Sequence, residues 1–445
     1  MSATLIRNGS VVTPGGLVSA DIRIEEGVIT ELGPGLSAEN LIDATGLYVL
    51  PATIDVHLHF NEPGRTEWEG AATGSRALAA GGGAVFFDMP LNSTPCTVNA
   101  AGFDRKREAL EASSVADFGL WGGLVPGNRD DMEGLAERGV VGFKAFLCDS
   151  GLPEFPRADD LTLWEGLVTA ARLDLPVAVH AESHELTQEL GRRAAVPGQT
   201  AITAFLRSRP VLAELEAIQR ATLMAGEAGA RLHIVHISSG RGVALAAEAR
   251  ARGVDVSIET CPHYLFFTAE DMERLGAVAK CAPPLRDQQD QNALWAALAA
   301  GTIDMVGSDH SPSPPSMKTG DFAKAWGGIS GVQSTLAVLL HRGHFKRGIP
   351  LQRIASLLAT MPARRFRIPR KGSLTPGNDA DLTLVDPTVS FTLQRQDLAY
   401  RHAISPYIGE TFQGQIRLTM RRGETLFIDG KFPPASPGKL IRPTR

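Results

Sequence analysis

Short apolar runs alternate with turn residues over the first fifty positions: TLIRNGSVV, then ADIRIEEGVITELG, then LIDATGLYVL, with hairpin signals at Asn8-Gly9 and Glu26-Gly27. The far end of the chain reads the same way, in ADLTLVDP at 380–387, IRLTMRRG at 416–423 and ETLFIDGK at 424–431. Two β-rich ends around one long centre predict that the termini combine into a single small module, a β-sandwich domain over 1–50 and 371–445. The centre is patterned differently. Strand-like runs rich in β-branched, aromatic or other apolar residues recur at 53–60, 84–90, 118–124, 141–147, 176–182, 231–238, 254–262 and 303–310, with Ala/Leu/Glu/Arg-rich helical stretches between most of them. Eight β-α units in series predict an α/β fold, a (β/α)8 TIM barrel over 51–370. Functional side chains then belong at the C-terminal strand ends, where the βα loops gather.

Composition narrows the partners. The 445 residues hold a barrel of about 250 residues and a second module. A net charge of −5 points to neither nucleic acid nor an anionic membrane as partner. The sequence has no run of about 18 apolar residues and no basic n-region before an apolar stretch, so neither a membrane span nor a signal peptide is expected. Cys96, Cys148, Cys261 and Cys281 are too scattered for a zinc ribbon or a disulfide framework, and read as reduced thiols of a cytoplasmic protein.

The histidines change the picture. Of 11 in the chain, those at 57, 59, 180, 184, 233, 236, 263 and 310 fall in or just after the strand runs. His57 and His59 lie two apart on the first run, so strand alternation points both to one face, as a pair of metal ligands or simply a half-exposed pair. His180 ends the fifth run and His236 nears the end of the sixth. His233 differs from His236 in parity, which predicts that it faces the helix layer in a structural role. Asp309, ending the eighth run, is either a turn or helix-capping aspartate or a ligand and proton acceptor; the histidines at the other strand ends favour the latter. Lys144 sits inside the apolar run VGFKAFL. It either snorkels to the strand end or, as a neutral amine, takes up CO₂ to give a carbamate that bridges two metals.

Further strings join these residues: FNEPGRTEWEG at 60–70, DMPLNSTP at 88–95, GFKAFLCDSG at 142–151, ETCPHYL at 259–265, KCAPPLRD at 280–287, DHSPSPP at 309–315 and KAWGGISGVQS at 324–334. In order and spacing the chain resembles the cyclic amidohydrolases: dihydroorotases, hydantoinases (dihydropyrimidinases) and allantoinases. Ala52, where a glycine is usual, and GGGAVFF at 81–87 depart from the pattern only at packing positions. The resemblance implies that His57, His59 and Asp309 hold one divalent metal ion, that His180 and His236 hold a second, and that carboxylated Lys144 bridges both. Zinc is the expected metal, and cobalt, manganese or iron suit the same donors. Dihydroorotases usually carry an arginine at the position of Asn61 and a second histidine at that of Ser313; an amide does not replace a bidentate guanidinium. Their absence makes the chain similar to the allantoinase branch, with dihydroorotase, hydantoinase or a non-catalytic scaffold relative as alternatives.

That branch implies hydrolysis of the cyclic amide of allantoin to allantoate by a hydroxide bridging the metals. Asp309 takes the water proton and passes it to the leaving nitrogen. Asn61, Asn92, Ser313, Cys281 and Ala282 are the expected substrate contacts, and Gly327 and Gly328 form either a turn that lets backbone approach the substrate or a plain tight turn. A homotetramer is the assembly the family implies.

Overall fold

The computed structural model describes residues 3–194, 198–318 and 320–444. The two chain ends meet in one eight-stranded mixed sheet. Its order is Glu424–Ile428, Thr411–Arg421, Leu382–Thr392, Tyr48–Pro51, Thr4–Thr13, Gly16–Glu25 and Val28–Gly33, with Asn40–Asp43 also paired to Thr4–Thr13. The seam between the ends is antiparallel, Val49 facing Leu384. Ile6, Val11, Ile22, Leu382, Leu384 and Leu418 pack as its apolar core, which is why the strands alternate in sequence.

Glu26-Gly27 forms a two-residue hairpin turn as expected, both residues at positive φ. Asn8-Gly9 does not. It is a bulge inside Thr4–Thr13, where the register shifts between Ile6 and Gly9. A Cβ on Gly9 would lie 2.5 Å from Val49 Cγ2, so close strand packing, rather than a chain reversal, is what requires glycine there. An Asn-Gly pair supplies left-handed backbone for a turn and for a bulge alike.

Every one of the eight central runs contains parallel-sheet structure. Thr53–Leu58, Gly83–Asp88 and Asp117–Leu120 form a three-stranded sheet; Gly122–Gly123, Phe143–Phe146, Val177–His180, Leu232–Ile234, Val256–Thr260 and Met305–Val306 form a six-stranded one. The third run is split at Trp121, whose N–H turns to Asp88 O at 3.1 Å. Val141 N still donates to Leu120 O at 2.9 Å across the split. On the far side Leu58 bridges His310, and His59 N donates to His310 O at 2.8 Å.

Helices alternate with these strands, and several open on a side-chain cap: Asn99, Asp159, Ser239 and Asp287 accept from the backbone N–H three residues on. Two apolar layers result. Val56, Phe87, Trp121, Val141, Ala178 and Met305 pack inside the strands. Leu232 and Ile234 pack outward against Ala217, Ile218 and Ala221 of the helix Val211–Ala228. Among the described residues, no helix is long and apolar enough to cross a membrane.

Candidate active site

The strand ends converge on one group of donors. His57 lies in Thr53–Leu58 and His59 follows it directly; their Nε2 atoms stand 3.3 and 3.5 Å from Asp309 Oδ1. Opposite, His180 Nδ1 comes within 3.1 Å of His236 Nε2. Donor atoms of His57, His236 and Asp309 all lie within 4.8 Å of one another. Lys144 is buried within electrostatic reach of His57, His180 and His236. Its Nζ reaches Ala145 O at 3.3 Å and lies 3.8 Å from the Phe146 ring centre, with no carboxylate in salt-bridge contact among the described residues.

The backbone is bent to achieve this. His236 and Asp309 take φ of 39° and 45°, and Asn61 and Asn92 take 63° and 66°. Left-handed backbone costs a non-glycine residue roughly 1–3 kcal/mol and concentrates at functional sites.

Electrostatics set the protonation states. Burial draws Lys144 down to about 7, so much of it is a neutral amine near neutral pH. Burial likewise lowers His59, His180 and His236. Burial alone would raise Asp309, but His57 and His59 outweigh it and hold the carboxylate ionised. Neutral imidazoles at His59, His180 and His236, a carboxylate and a neutral amine are forms that bind metal or accept CO₂, while at His57 the facing Glu259 and Asp309 outweigh burial and raise the ring's proton affinity.

Two further carboxylates fix which imidazole nitrogens face inward. Glu259 Oε1 accepts from His57 Nδ1 at 2.8 Å, leaving Nε2 for a metal. Glu182 Oε2 takes His180 Nε2 at 2.8 Å, leaving Nδ1, and Arg209 pairs with the same carboxylate. Cys148 groups with His180 and Glu182, but burial pushes its thiol up to about 12, and a protonated thiol is a poor ligand.

The structure corrects the parity reading of His233. Its ring stacks on Trp121 inside the strands and contacts Phe366, while its neighbours Leu232 and Ile234 face the helices. Strand alternation stops at Ile234, and the positive φ of His236 swings that side chain into the same interior. His233 Nε2 bonds Glu259 Oε2 at 3.0 Å and Nδ1 bonds Ser257 Oγ at 2.8 Å.

A cleft of about 360 Å³ opens over these groups. Asn92, Cys281, Ala282, Gly327 and Gly328 line it together with His57, His59, His180, His236 and Asp309. Asn61 and Ser313 are not part of that lining; Asn61 Nδ2 donates to Pro312 O at 3.3 Å, and among the described residues Asn61 Oδ1 and Ser313 Oγ are buried without a hydrogen-bond partner. Lysines brace the far wall: Lys280 Nζ donates to Phe322 O and Ala325 O, both at 2.8 Å, and Lys318 Nζ to Trp326 O and Gly328 O at 2.9 and 2.6 Å.

The amidohydrolase family model matches residues 48–426, most of the chain and all of the converging donors. The chain belongs to the amidohydrolase family. It is 63% identical to an allantoinase of Solibacter usitatus (strain Ellin6076), across 100% of this chain and 97% of that one. It is 54% identical to an allantoinase of Rubrobacter xylanophilus, across 99% and 98%. Among solved structures, the L-hydantoinase (dihydropyrimidinase) from Arthrobacter aurescens superposes with a TM-score of 0.96 at 32% identity, covering 99% of this chain and 100% of that one. The dihydropyrimidinase from Brevibacillus agri NCHU1002 superposes with a TM-score of 0.92 at 30% identity, covering 99% of each.

In this amidohydrolase, the residues that sequence reasoning passed over are Glu182, Arg209, Glu259, Lys280 and Lys318. Glu259 did carry a signal: an acidic residue inside the otherwise uncharged run VSIETCP must be paired when buried. Glu182 lies only two residues from His180, so spacing alone could have drawn notice to it, whereas Arg209 and Lys280 are linked to the site through contacts distant in sequence.

Proposed function

We propose that this amidohydrolase hydrolyses the ring amide of allantoin to allantoate at a centre of two divalent metal ions. The observation that carries the reading is the convergence of four imidazoles and Asp309 on one cleft, with Lys144 buried beside them. Full-length identity to allantoinases supplies the substrate. The donor set fits the metals: His57 and His180 have one nitrogen each tied by a carboxylate, and the other turned inward.

His57, His59 and Asp309 would hold one ion and His180 and His236 the other, zinc being the first choice and cobalt, manganese or iron suiting the same donors. Lys144 would take up CO₂ on Nζ with loss of a proton, and the resulting carbamate would supply an anionic oxygen ligand to both ions. When bound, the ions polarise the amide carbonyl and lower the pKa of the attacking water. Asp309, kept ionised by its histidines, accepts the water proton and delivers it to the departing ring nitrogen. Asn92 and the backbone at Cys281 and Ala282 orient the ring and ureido tail from the cleft wall, and Asn61 and Ser313 support the loops beneath them.

The scaffold is a (β/α)8 barrel over 51–370, a reading supported by the links that join the parallel sheets on both sides. A β-sandwich over 1–50 and 371–445 is supported by Thr4–Thr13, which changes partner from Asn40–Asp43 to Tyr48–Pro51 along its length. The family resemblance supports a homotetramer, and apolar Leu161, Trp164 and Val168 stand exposed on the helix Asp160–Arg172. Four buried free thiols fit a cytoplasmic setting.

The test offers purified protein allantoin, dihydroorotate and dihydrouracil in parallel, with metals quantified on the same sample. Preference for allantoin with two metal equivalents per chain is expected. Preference for dihydroorotate overturns the substrate reading, and under one metal equivalent overturns the centre.

A further inference from the structure

Two of the proposed metal ligands on opposite sides of the centre meet at one buried side chain. Glu259 Oε1 accepts from His57 Nδ1 at 2.8 Å and from the backbone N–H of His236 at 3.2 Å. Its other oxygen, Oε2, accepts from His233 Nε2 at 3.0 Å, and Ser257 Oγ holds the far nitrogen of that ring at 2.8 Å. The carboxylate is fully buried, and Gly307 makes room for it. A Cβ at Gly307 would lie 2.9 Å from His57 Cβ and 3.0 Å from Glu259 Cδ.

Each contact does something different. The bond to His57 fixes that ring's tautomer, so Nε2 carries the lone pair that faces Asp309. The bond to His236 N anchors a peptide in the left-handed region, which carries the imidazole against the strand's own alternation. The bond from His233 fixes the rotation of the carboxylate itself. Among the described residues nothing equivalent ties the remaining ligands together: of the proposed ligands Glu182 bonds His180 alone, with Arg209 as its counter-charge.

We infer that Glu259 is a positioning residue common to both metal sites, so that losing it weakens both ions together, whereas losing Glu182 weakens only the ion held by His180. This inference rests on the two-metal reading above and extends it to residues that touch neither metal nor substrate.

The experiment measures both metal dissociation constants by chelator competition with zinc, on wild-type chain, Glu259→Gln and Glu182→Gln. Glu259→Gln is expected to raise both constants about 10–100-fold, the range found when a ligand's hydrogen-bond partner is removed. Glu182→Gln is expected to raise one. Glu259→Asp keeps the charge and is expected to bind both ions more tightly than the Gln chain. If the Gln chain does not fold, as judged by circular dichroism of the metal-free protein, the Asp chain carries the test, and both constants must still rise together. Either constant staying within twofold of wild type in the Glu259 variant overturns the inference. Wild-type chain that binds fewer than two ions instead overturns the two-metal reading, and the shared support with it.

Discussion

His180 lies flat on Phe146, ring centroids 4.6 Å apart and planes within 14° of parallel. The stack fixes the imidazole plane while Glu182 fixes its rotation, so Nδ1 is aimed at His236. Phe146→Ala is expected to keep the fold and lower kcat on allantoin by about 100-fold, the scale of a 1 Å misplacement. Steady-state kinetics beside a melting curve checks this; unchanged kcat would show that Glu182 orients the ring alone.

Lys144→Ala removes the amine that burial has made reactive. Bound metal is expected to fall below one equivalent and turnover by roughly 1,000-fold, about 4 kcal/mol of transition-state stabilisation. Added short carboxylic acids are expected to restore part of the activity by standing in for the carbamate. Wild-type metal content and turnover without them would end the carbamate reading.

Asp309→Asn keeps the shape of the side chain and removes its basicity. Turnover is expected to fall about 10²–10⁴-fold. Near-normal hydrolysis at saturating metal would remove Asp309 from proton transfer.

Gly328 holds φ of 144°, and a Cβ there would lie 2.3 Å from Ser311 O. Gly328→Ala therefore displaces the cleft wall, and KM for allantoin is expected to rise about tenfold with less change in kcat, since the wall orients substrate without reacting. An unchanged KM would place the substrate away from this turn.

Far from the cleft, buried Lys371 Nζ meets Asp381, Asp379 and Asp117 at 2.6, 2.9 and 3.1 Å. Lys371→Met strands these carboxylates and is expected to destabilise the fold by about 3–5 kcal/mol. The pH dependence has a definite sign. Burial alone would raise Asp117, but Lys371 and Arg422 outweigh it and leave its pKa lowered. Such a group stabilises the fold above the unfolded carboxylate value near ~3.9, and that stability is lost as pH falls through the lower folded value. Removing the Lys371 charge raises the folded value toward the unfolded one, so urea unfolding followed from pH 3 to 8 is expected to show a smaller acid loss from this group, complete at higher pH. An unshifted acid limb would mean that Arg422 alone holds Asp117 ionised.

Much of this was legible in the sequence because buried parallel strands read as unbroken apolar runs, and polar residues at their ends stand out against them. His57, His59, Lys144, His180, His236 and Asp309 were singled out by position in that way, and the structure brings them close together. Parity failed at His233 because the strand stops at Ile234, and only the backbone angle of His236 restores its direction. Asn8-Gly9 failed because one dipeptide serves two backbone features. Glu182 and Glu259 stayed hidden because their meaning lies in which imidazole nitrogen they occupy. Lys280 and Lys318 stayed hidden because their partners are main-chain carbonyls that carry no sequence signature.

The sheet shared by the two chain ends also imposes an order in time. Tyr48–Pro51 is synthesised early, yet one of its neighbours, Leu382–Thr392, follows more than 300 residues later. On the ribosome the first strands must wait with an open edge while the central β-α units, whose contacts are mostly between neighbours in sequence, collect behind them. The catalytic half can thus take shape before the module that closes over the chain ends, and a truncation that removes the last strands leaves an exposed sheet edge, a site for aggregation.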